Sequence, residues 1–234
     1  MRIYALRHVE SAAMRWRMDN PDALDVIAEL LPDSATGVSP LGEEQIEALA
    51  LHFAALPEDE QPTHGFSSPY KRTDLTGTGA LSKLPKKVVL VHDKRLREVD
   101  FGIFDKLTKK GREARFPKEW AERSKVGKVN FRPEGGENWH DIGDRFVEFQ
   151  KDKLDGLPND ARVLLSMHET LVLCTEWKWL GADVDALSRQ GVPSASITTY
   201  DYVDGKFTLV SKHVLPASPT GKDLFSMEKK GKDG

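Results

Sequence analysis

The chain has 234 residues, of which 39% are apolar and 30% are charged, and its formal net charge at neutral pH is only -3. This length allows one large domain with a well-buried core, or at most two small ones, and we expect one. Because both signs of charge are interspersed, the chain lacks the basic field that attracts nucleic acid, so a nucleic-acid partner is not expected. No apolar run is long enough to cross a bilayer, so a membrane partner is not expected either.

The first residues form a short apolar run at positions 3–6, which Arg7 and His8 end. Such a run predicts a buried strand whose carboxyl end presents those two polar side chains. The beginning of the sequence holds neither the long apolar segment nor the cleavage site of a secretory signal, so we expect a cytoplasmic protein. Cys174, the single cysteine, lies in an apolar stretch and is expected to be a buried core side chain.

A helix is predicted from position 40 onward, because Ile46, Leu49 and Phe53 recur on one face. Ser39 is suited to cap the start of this helix, and Pro40 is suited to its first position. The two signals together predict where the helix begins.

The following elements alternate between strand and helix. Apolar runs predict strands at residues 88–91 and 163–167, and helical spacing predicts helices near residues 139–149 and 170–180. Gly181 is a suitable C-terminal end for the last of these helices. Strands that alternate with helices predict a layered α/β domain with a largely parallel sheet.

The last predicted elements are two extended segments, residues 196–203 and 207–212, on either side of Asp204 and Gly205. Asp-Gly between extended segments predicts a β-hairpin, which would add an antiparallel edge to the sheet. The final stretch, residues 218–234, is rich in lysine, glycine and aspartate, so we expect a poorly ordered polar tail.

Two histidines follow predicted strands, His8 near the start of the chain and His168 after residues 163–167. Active sites of open parallel sheets collect at the carboxyl ends of the strands. One histidine in such a position is usually structural. Two at equivalent positions, with Arg7 beside one of them, predict a catalytic site at this edge of the sheet.

Four segments, in this order, resemble the signature of the histidine phosphatase superfamily, the group that includes the cofactor-dependent phosphoglycerate mutases. They are Leu6-Arg7-His8-Val9-Glu10-Ser11, Ser68-Pro69-Tyr70-Lys71-Arg72-Thr73, Leu96-Arg97-Glu98-Val99-Asp100-Phe101-Gly102 and Leu165-Ser166-Met167-His168-Glu169. Two further stretches, residues 40–45 and 133–137, are similar to helix starts in that family. The resemblance covers about residues 1–215.

The resemblance implies a phosphoglycerate mutase-like fold of three layers, α/β/α, around a mostly parallel central sheet with an antiparallel edge. It implies one catalytic domain over residues 1–217, with an insertion near residues 105–132 that covers the pocket. It also implies an enzyme that hydrolyses a small phosphomonoester through a phosphohistidine intermediate, with no metal and no cofactor.

The same resemblance assigns roles to five residues. The catalytic residues are His8, the nucleophile, Glu98, the proton donor, and His168, which also binds the phosphoryl oxygens; Arg7 and Arg72 bind the substrate. Glu169, which follows His168, is a further candidate for substrate binding. Guanidinium groups suit the charge and geometry of a phosphoryl group. The same cations would disfavour the protonated imidazole of the nucleophile, and a carboxyl beside a phosphate dianion keeps its proton to higher pH.

Three residues depart from the family pattern. Val9 and Glu169 stand where a glycine usually follows each histidine, and Met14 stands where many relatives carry an asparagine. We expect the first two changes to narrow or reshape the pocket, because glycine permits close approach of the backbone. We expect Glu169 either to point away from the phosphate or to weaken its binding.

Three other interpretations remain open. A phosphoglycerate-mutase-type phosphotransferase would need extra cations for a second acidic group, and Lys109 and Lys110 are candidates. A weakly active protein that binds phosphorylated ligands would follow from the changes at Val9 and Glu169. A metal site would combine the two histidines with Glu10 and Glu169, although the nearby arginines oppose a cation. The sequence also leaves open a homodimer.

Overall fold

The computed structural model describes residues 1–24 and 32–224. Within these ranges the chain forms six strands and eight α-helices. The strands are β1 (Arg2–Arg7), β2 (His64–Ser67), β3 (Leu90–His92), β4 (Arg162–Met167), β5 (Ile197–Val203) and β6 (Lys206–Val214). The helices are α1 (Ala12–Asp19), α2 (Pro40–Ala55), α3 (Lys71–Leu81), α4 (Lys109–Arg115), α5 (Pro117–Val126), α6 (Trp139–Lys153), α7 (Glu169–Leu180) and α8 (Val184–Ser188).

The six strands form one sheet in the order β3-β2-β4-β1-β5-β6. β1, β2, β3 and β4 are parallel, and β5 and β6 add an antiparallel edge. The turn between β5 and β6 places Asp204 at φ 50° and Gly205 at φ 78°. A two-residue hairpin turn of type I′ needs positive φ at both positions, which aspartate and glycine tolerate. The predicted α/β fold and its antiparallel edge are therefore confirmed.

Each face of the sheet has its own core, because side chains alternate along the central strand β1. Ile3 and Ala5 pack with apolar side chains of α6 and α7 on one face. Tyr4 and Leu6 pack with those of α2 and α3 on the other. Cys174 is buried in the first of these cores, as expected. The result is the predicted arrangement of three layers.

Local signals place the ends of two helices correctly. Ser39 Oγ accepts a hydrogen bond from the Gly42 N–H at 3.0 Å, and Pro40 is the first residue of α2. Gly181 ends α7 in the left-handed region at φ 68°. These ends depend on residues that are adjacent in sequence, which explains why the sequence predicts them.

The strand predicted at residues 88–91 differs from the structure. The observed strand is β3 (Leu90–His92), which lies at the edge of the sheet, and Val89 and Val91 are 68% and 45% exposed. The apolar run is thus not a buried strand. An edge strand pairs on one side only, and its position in the sheet is not encoded in its hydrophobicity.

The first part of the predicted tail packs against the domain. Leu224 is buried, and its carbonyl accepts a hydrogen bond from Gln45 Nε2 of α2 at 2.9 Å. Lys222 Nζ lies 2.9 Å from the Glu44 carboxylate. Residues 225–234 of the predicted tail lie outside the described residues. Among the helices that the structure describes, none has the length and apolar character needed to cross a bilayer.

Candidate active site

The carboxyl ends of β1, β2 and β4 are adjacent, because these strands are parallel neighbours. His8, Ser68 and His168 directly follow the three strands. The His8 N–H donates to the Met167 carbonyl at 2.9 Å, and the Ser68 N–H donates to the Ser166 carbonyl at 3.1 Å. These bonds extend the sheet by one residue and hold the three side chains side by side.

Two imidazoles and one guanidinium group meet at this edge. The ring centres of His8 and His168 lie 5.2 Å apart, and both side chains are buried. Arg72 Nε donates to His8 Nε2 at 3.3 Å, and Arg72 Nη2 lies 3.4 Å from His168 Nδ1. Ser68 Oγ lies 2.9 Å from the other ring nitrogen of His168. Residues that the sequence separates widely therefore form one cluster.

Both imidazoles are neutral near pH 7. Burial lowers the pKa of His8 well below 6.5, and the charges of Arg72 and Arg7 lower it further. Burial likewise lowers the pKa of His168, with Arg72 adding to the effect. His8 Nδ1 lies 2.7 Å from the Val9 carbonyl oxygen, a contact that places the proton on Nδ1. His8 Nε2 therefore keeps its lone pair.

Arg7 is held by groups of the protein itself. Its Nη2 lies 3.0 Å from Glu169 Oε2, and its Nη1 donates to the carbonyl of Val192. Arg7 and Glu169 both line the cleft. The Glu169 side chain therefore does not point away from the site but neutralises one of the two arginines that we expect to bind phosphate.

Asp33 forms an ion pair with Arg72, the second of these arginines. Its Oδ1 and Oδ2 accept hydrogen bonds from Arg72 Nη1 and Nη2 at 3.0 and 2.9 Å. Two parallel hydrogen bonds from one guanidinium group are also the geometry with which arginine binds phosphate. Asp33 could not be recognised from the sequence, because it lies in none of the four motif segments and no local pattern distinguishes it.

Glu98 lies in the cleft in surroundings that favour the protonated form of its carboxyl group. Burial raises its pKa above 4.5, although a hydrogen bond from the Val99 N–H and the charge of Arg72 oppose the shift. Arg145 of α6 donates to the Glu98 carbonyl at 3.2 Å, and its Nε lies 3.0 Å from Glu137 Oε1. This ion pair braces the segment that carries Glu98.

The neighbouring carboxylates are placed differently. Asp100 is exposed, does not line the cleft, and accepts a hydrogen bond from the Gly102 N–H at 2.9 Å. Asp105 is exposed and does line the cleft. Glu98 therefore combines a cleft position with a raised pKa, as general acid catalysis requires.

Val9 has no direct effect on the shape of the cleft. Its side chain is fully buried in the core beneath α2 and is not part of the cleft wall, so the expectation that it narrows the pocket is wrong. Met14 does line the cleft, and its sulfur lies 3.9 Å from Arg7 Nη2. A thioether thus replaces the polar contact expected from an asparagine.

The metal-site interpretation finds no support in the described residues. The Glu10 carboxylate accepts hydrogen bonds from Arg15 at 2.9 Å and from Ser39 at 2.5 Å, and Glu169 is paired with Arg7. Within residues 1–24 and 32–224, no three histidine, cysteine, aspartate or glutamate side chains are arranged to hold a metal ion.

The cleft has a volume of about 370 Å³, and seven of the residues that line it lie within residues 105–132. Phe104 and Phe131 both line it and stack with ring centres 5.7 Å apart. Lys109 and Lys110, the candidates for binding a second acidic group, do not line the cleft, and Lys110 pairs with Asp22.

Comparisons with known proteins identify the family and the fold of the chain. The model of the histidine phosphatase superfamily (branch 1) matches residues 3–214. The chain is similar in structure to the alpha-ribazole phosphatase from Shigella flexneri, with a TM-score of 0.73, 16% identity and coverage of 92% of this chain and 96% of that chain. It is also similar to YhfR from Bacillus stearothermophilus, with a TM-score of 0.73, 17% identity and coverage of 92% of this chain and 97% of that chain. A third similar structure is a mycobacterial glucosyl-3-phosphoglycerate phosphatase with VO3, with a TM-score of 0.69, 22% identity and coverage of 91% of this chain and 98% of that chain. A sequence search of curated proteins finds no match.

Proposed function

The chain belongs to the histidine phosphatase superfamily, branch 1, and from that premise we propose that it hydrolyses small phosphomonoesters through a phosphohistidine on His8. The observation that carries the proposal is the position of Arg72, which is hydrogen-bonded to His8 Nε2 and lies within 3.4 Å of His168. One guanidinium group beside two neutral imidazoles is suited to hold a phosphoryl group next to a nucleophilic nitrogen.

In the first step, His8 Nε2 attacks phosphorus while the bond from phosphorus to the ester oxygen breaks. Glu98 gives its proton to the leaving oxygen, so an alcohol departs. Arg72 and Arg7 bind the phosphoryl oxygens and release the carboxylates that they hold in the free enzyme. His168 contributes a further contact to the same oxygens.

In the second step, water attacks the phosphohistidine. Glu98 accepts a proton from that water, the phosphorus–nitrogen bond breaks, and inorganic phosphate leaves. The neutral state of His8 is needed at the start of each cycle, and the lowered pKa of its imidazole supplies it.

Two structural neighbours support a phosphorylated metabolite as the class of substrate. One is an alpha-ribazole phosphatase and another is a glucosyl-3-phosphoglycerate phosphatase. A phosphotransferase of the phosphoglycerate mutase type is the alternative. Measurement of free phosphate against isomerised product from 3-phosphoglycerate separates the two activities.

The test of the proposal is the His8→Ala variant. We expect it to lose turnover of every phosphomonoester in a screening panel read by malachite green, while its circular dichroism stays unchanged. His140→Ala is the matched control, because His140 is exposed on α6 and does not line the cleft. Acid-quenched wild-type enzyme should carry phosphohistidine. Retained turnover in His8→Ala would overturn the mechanism.

A further inference from the structure

Besides the exposed Lys106, four cationic side chains line the same cleft but play no part in the mechanism above. We call them the cationic wall: Arg17 of α1, Arg112 of α4, Arg123 of α5, and Lys128, which follows α5. Among the residues that the structure describes, none of the four forms an ion pair with a carboxylate. The wall is assembled from elements that are far apart in sequence.

Aromatic rings and one carbonyl group contact the wall without neutralising it. Lys128 Nζ donates to the Ser188 carbonyl at 3.1 Å. The guanidinium carbon of Arg112 lies 4.6 Å from the centre of the Phe101 ring, and that of Arg123 lies 4.8 Å from the Trp120 ring. The Nε atom of Arg112 is buried and has no hydrogen-bond partner among the described residues. An aromatic face attracts a cation but leaves its charge available to a ligand.

The wall members repel one another. Burial lowers the pKa of Arg112 to about 10, and the charges of Arg17 and Arg123 lower it further, with only Asp105 opposing. Burial is also the first cause of a lowered pKa at Arg17, Arg123 and Lys128. The folded protein thus holds like charges together at a cost that a bound anion would relieve.

The carboxylates of the cleft act on this charge only at a distance. Asp33 and Glu98 oppose the lowered pKa of Arg17, and Glu169 and Glu98 oppose that of Lys128. Asp33 is paired with Arg72, Glu169 is paired with Arg7, and Glu137 is paired with Arg97 and Arg145. Asp105 is exposed and acts on Arg112 only at a distance, with no ion pair between them.

We propose that the cationic wall is a second anion subsite, which selects substrates that carry a carboxylate or a second phosphate besides the phosphate that is cleaved. The inference rests on the proposed function, because it assumes that the reacting phosphate lies beside His8. Guanidinium groups that form no ion pair with a described carboxylate are suited to bidentate binding of either anion.

The test uses two substrates that differ by one charge. Glycerol 3-phosphate carries a hydroxymethyl group where 3-phosphoglycerate carries a carboxylate. We expect the wild-type kcat/KM to favour 3-phosphoglycerate by about tenfold or more, as one charge-assisted hydrogen bond would suffice to produce. Arg112→Gln should reduce that ratio about tenfold. Arg115→Gln is the matched control, because Arg115 is exposed on the same helix and does not line the cleft.

A second pair of ligands distinguishes the two anions. Fructose 1,6-bisphosphate and fructose 6-phosphate differ by one phosphate. A higher kcat/KM for the bisphosphate, together with equal kcat/KM values for 3-phosphoglycerate and glycerol 3-phosphate, identifies a phosphate subsite. Equal kcat/KM values within both pairs would overturn the inference. So would an Arg112→Gln variant that leaves both ratios unchanged. Arg123→Gln serves as a second variant if Arg112→Gln fails to fold.

Binding separates this inference from the proposed function. Calorimetry on His8→Ala measures the Kd of each ligand without turnover, so the preference can be tested even if the wild-type protein hydrolyses nothing. Failure to hydrolyse p-nitrophenyl phosphate would count against the phosphatase proposal alone. Equal Kd values within both ligand pairs would count against the subsite alone.

Discussion

Arg72 holds the carboxylate of Asp33 through the two nitrogens that a substrate phosphate would need. Binding of substrate must therefore displace an internal anion. Glu169 likewise competes with substrate for Arg7, because Glu169 Oε2 lies 3.0 Å from Arg7 Nη2. At the scale of single residues, the free site is occupied by its own acidic side chains.

Asp33→Asn should lower KM by about tenfold with little change in kcat, because a neutral amide competes less strongly for the guanidinium group. Steady-state kinetics with one phosphomonoester is the measurement. Asp22→Asn is the control, since Asp22 pairs with Lys110 outside the cleft. An unchanged KM in Asp33→Asn would show that this ion pair does not compete with substrate.

Glu98→Gln should reduce kcat about a hundred- to ten-thousand-fold with an alkyl phosphate, and much less with p-nitrophenyl phosphate, whose leaving group needs no proton. Because the reaction needs protonated Glu98, wild-type kcat/KM should fall as pH rises through the raised pKa of this carboxyl, above 4.5. The variant should lose that pH dependence. Asp100→Asn, an exposed change outside the cleft, should keep it. Equal losses with the two substrates would contradict the role of an acid.

At the scale of elements, the site depends on how closely α2 approaches the segment that follows β1. A Cβ atom on Gly42 would lie 2.3 Å from the Glu10 carbonyl oxygen, which is backbone and cannot move aside. The first turn of α2 therefore requires glycine for close packing rather than for a special φ angle.

Gly42→Ala should lower the free energy of unfolding by about 1–3 kcal/mol, the usual cost of overpacking. Urea denaturation measures it. Gly156→Ala is the matched control, because an added Cβ there meets nothing within 4 Å, and its stability should stay within about 0.5 kcal/mol of the wild-type value. Equal midpoints for the two variants would show that α2 can shift without loss.

The elements that the sequence predicts are those with a local signature. α2 and α7 have suitable capping residues, and the turn between β5 and β6 contains Asp-Gly. The sequence does not predict β2 and α3. β2 is only the short sequence His-Gly-Phe-Ser, and α3 contains two glycines and three threonines, which do not favour a helix. Hydrogen bonds to β4 and packing against α2 stabilise them instead.

At the scale of the whole molecule, the buried histidines link stability to pH. The pKa values of His8 and His168 are lower in the folded state than the ordinary 6.5. Below about pH 6.5 the unfolded chain binds more protons than the folded protein, so acid destabilises the fold. Glu98 acts in the opposite direction, since its raised pKa makes the folded state bind the extra proton.

We expect the free energy of unfolding to fall by about 1.4 kcal/mol per pH unit for each of the two histidines as pH decreases below 6.5. Urea denaturation at a series of pH values gives the slope. The double variant His8→Gln/His168→Gln should lose most of it. His140→Gln, a change at an exposed residue outside the cleft, should keep the wild-type slope. An identical slope in the double variant would contradict the linkage.

The sequence by itself determined the fold class, the hairpin and the residue types of the proposed site, because periodicity, capping and turn chemistry depend on near neighbours in the chain. Only the tertiary structure decided which charges meet. The ion pairs of Asp33 with Arg72 and of Glu169 with Arg7, and the assembly of the cationic wall, join segments that are distant in sequence. Such contacts depend on distances of a few ångströms that packing of the whole domain sets, and no local pattern encodes them.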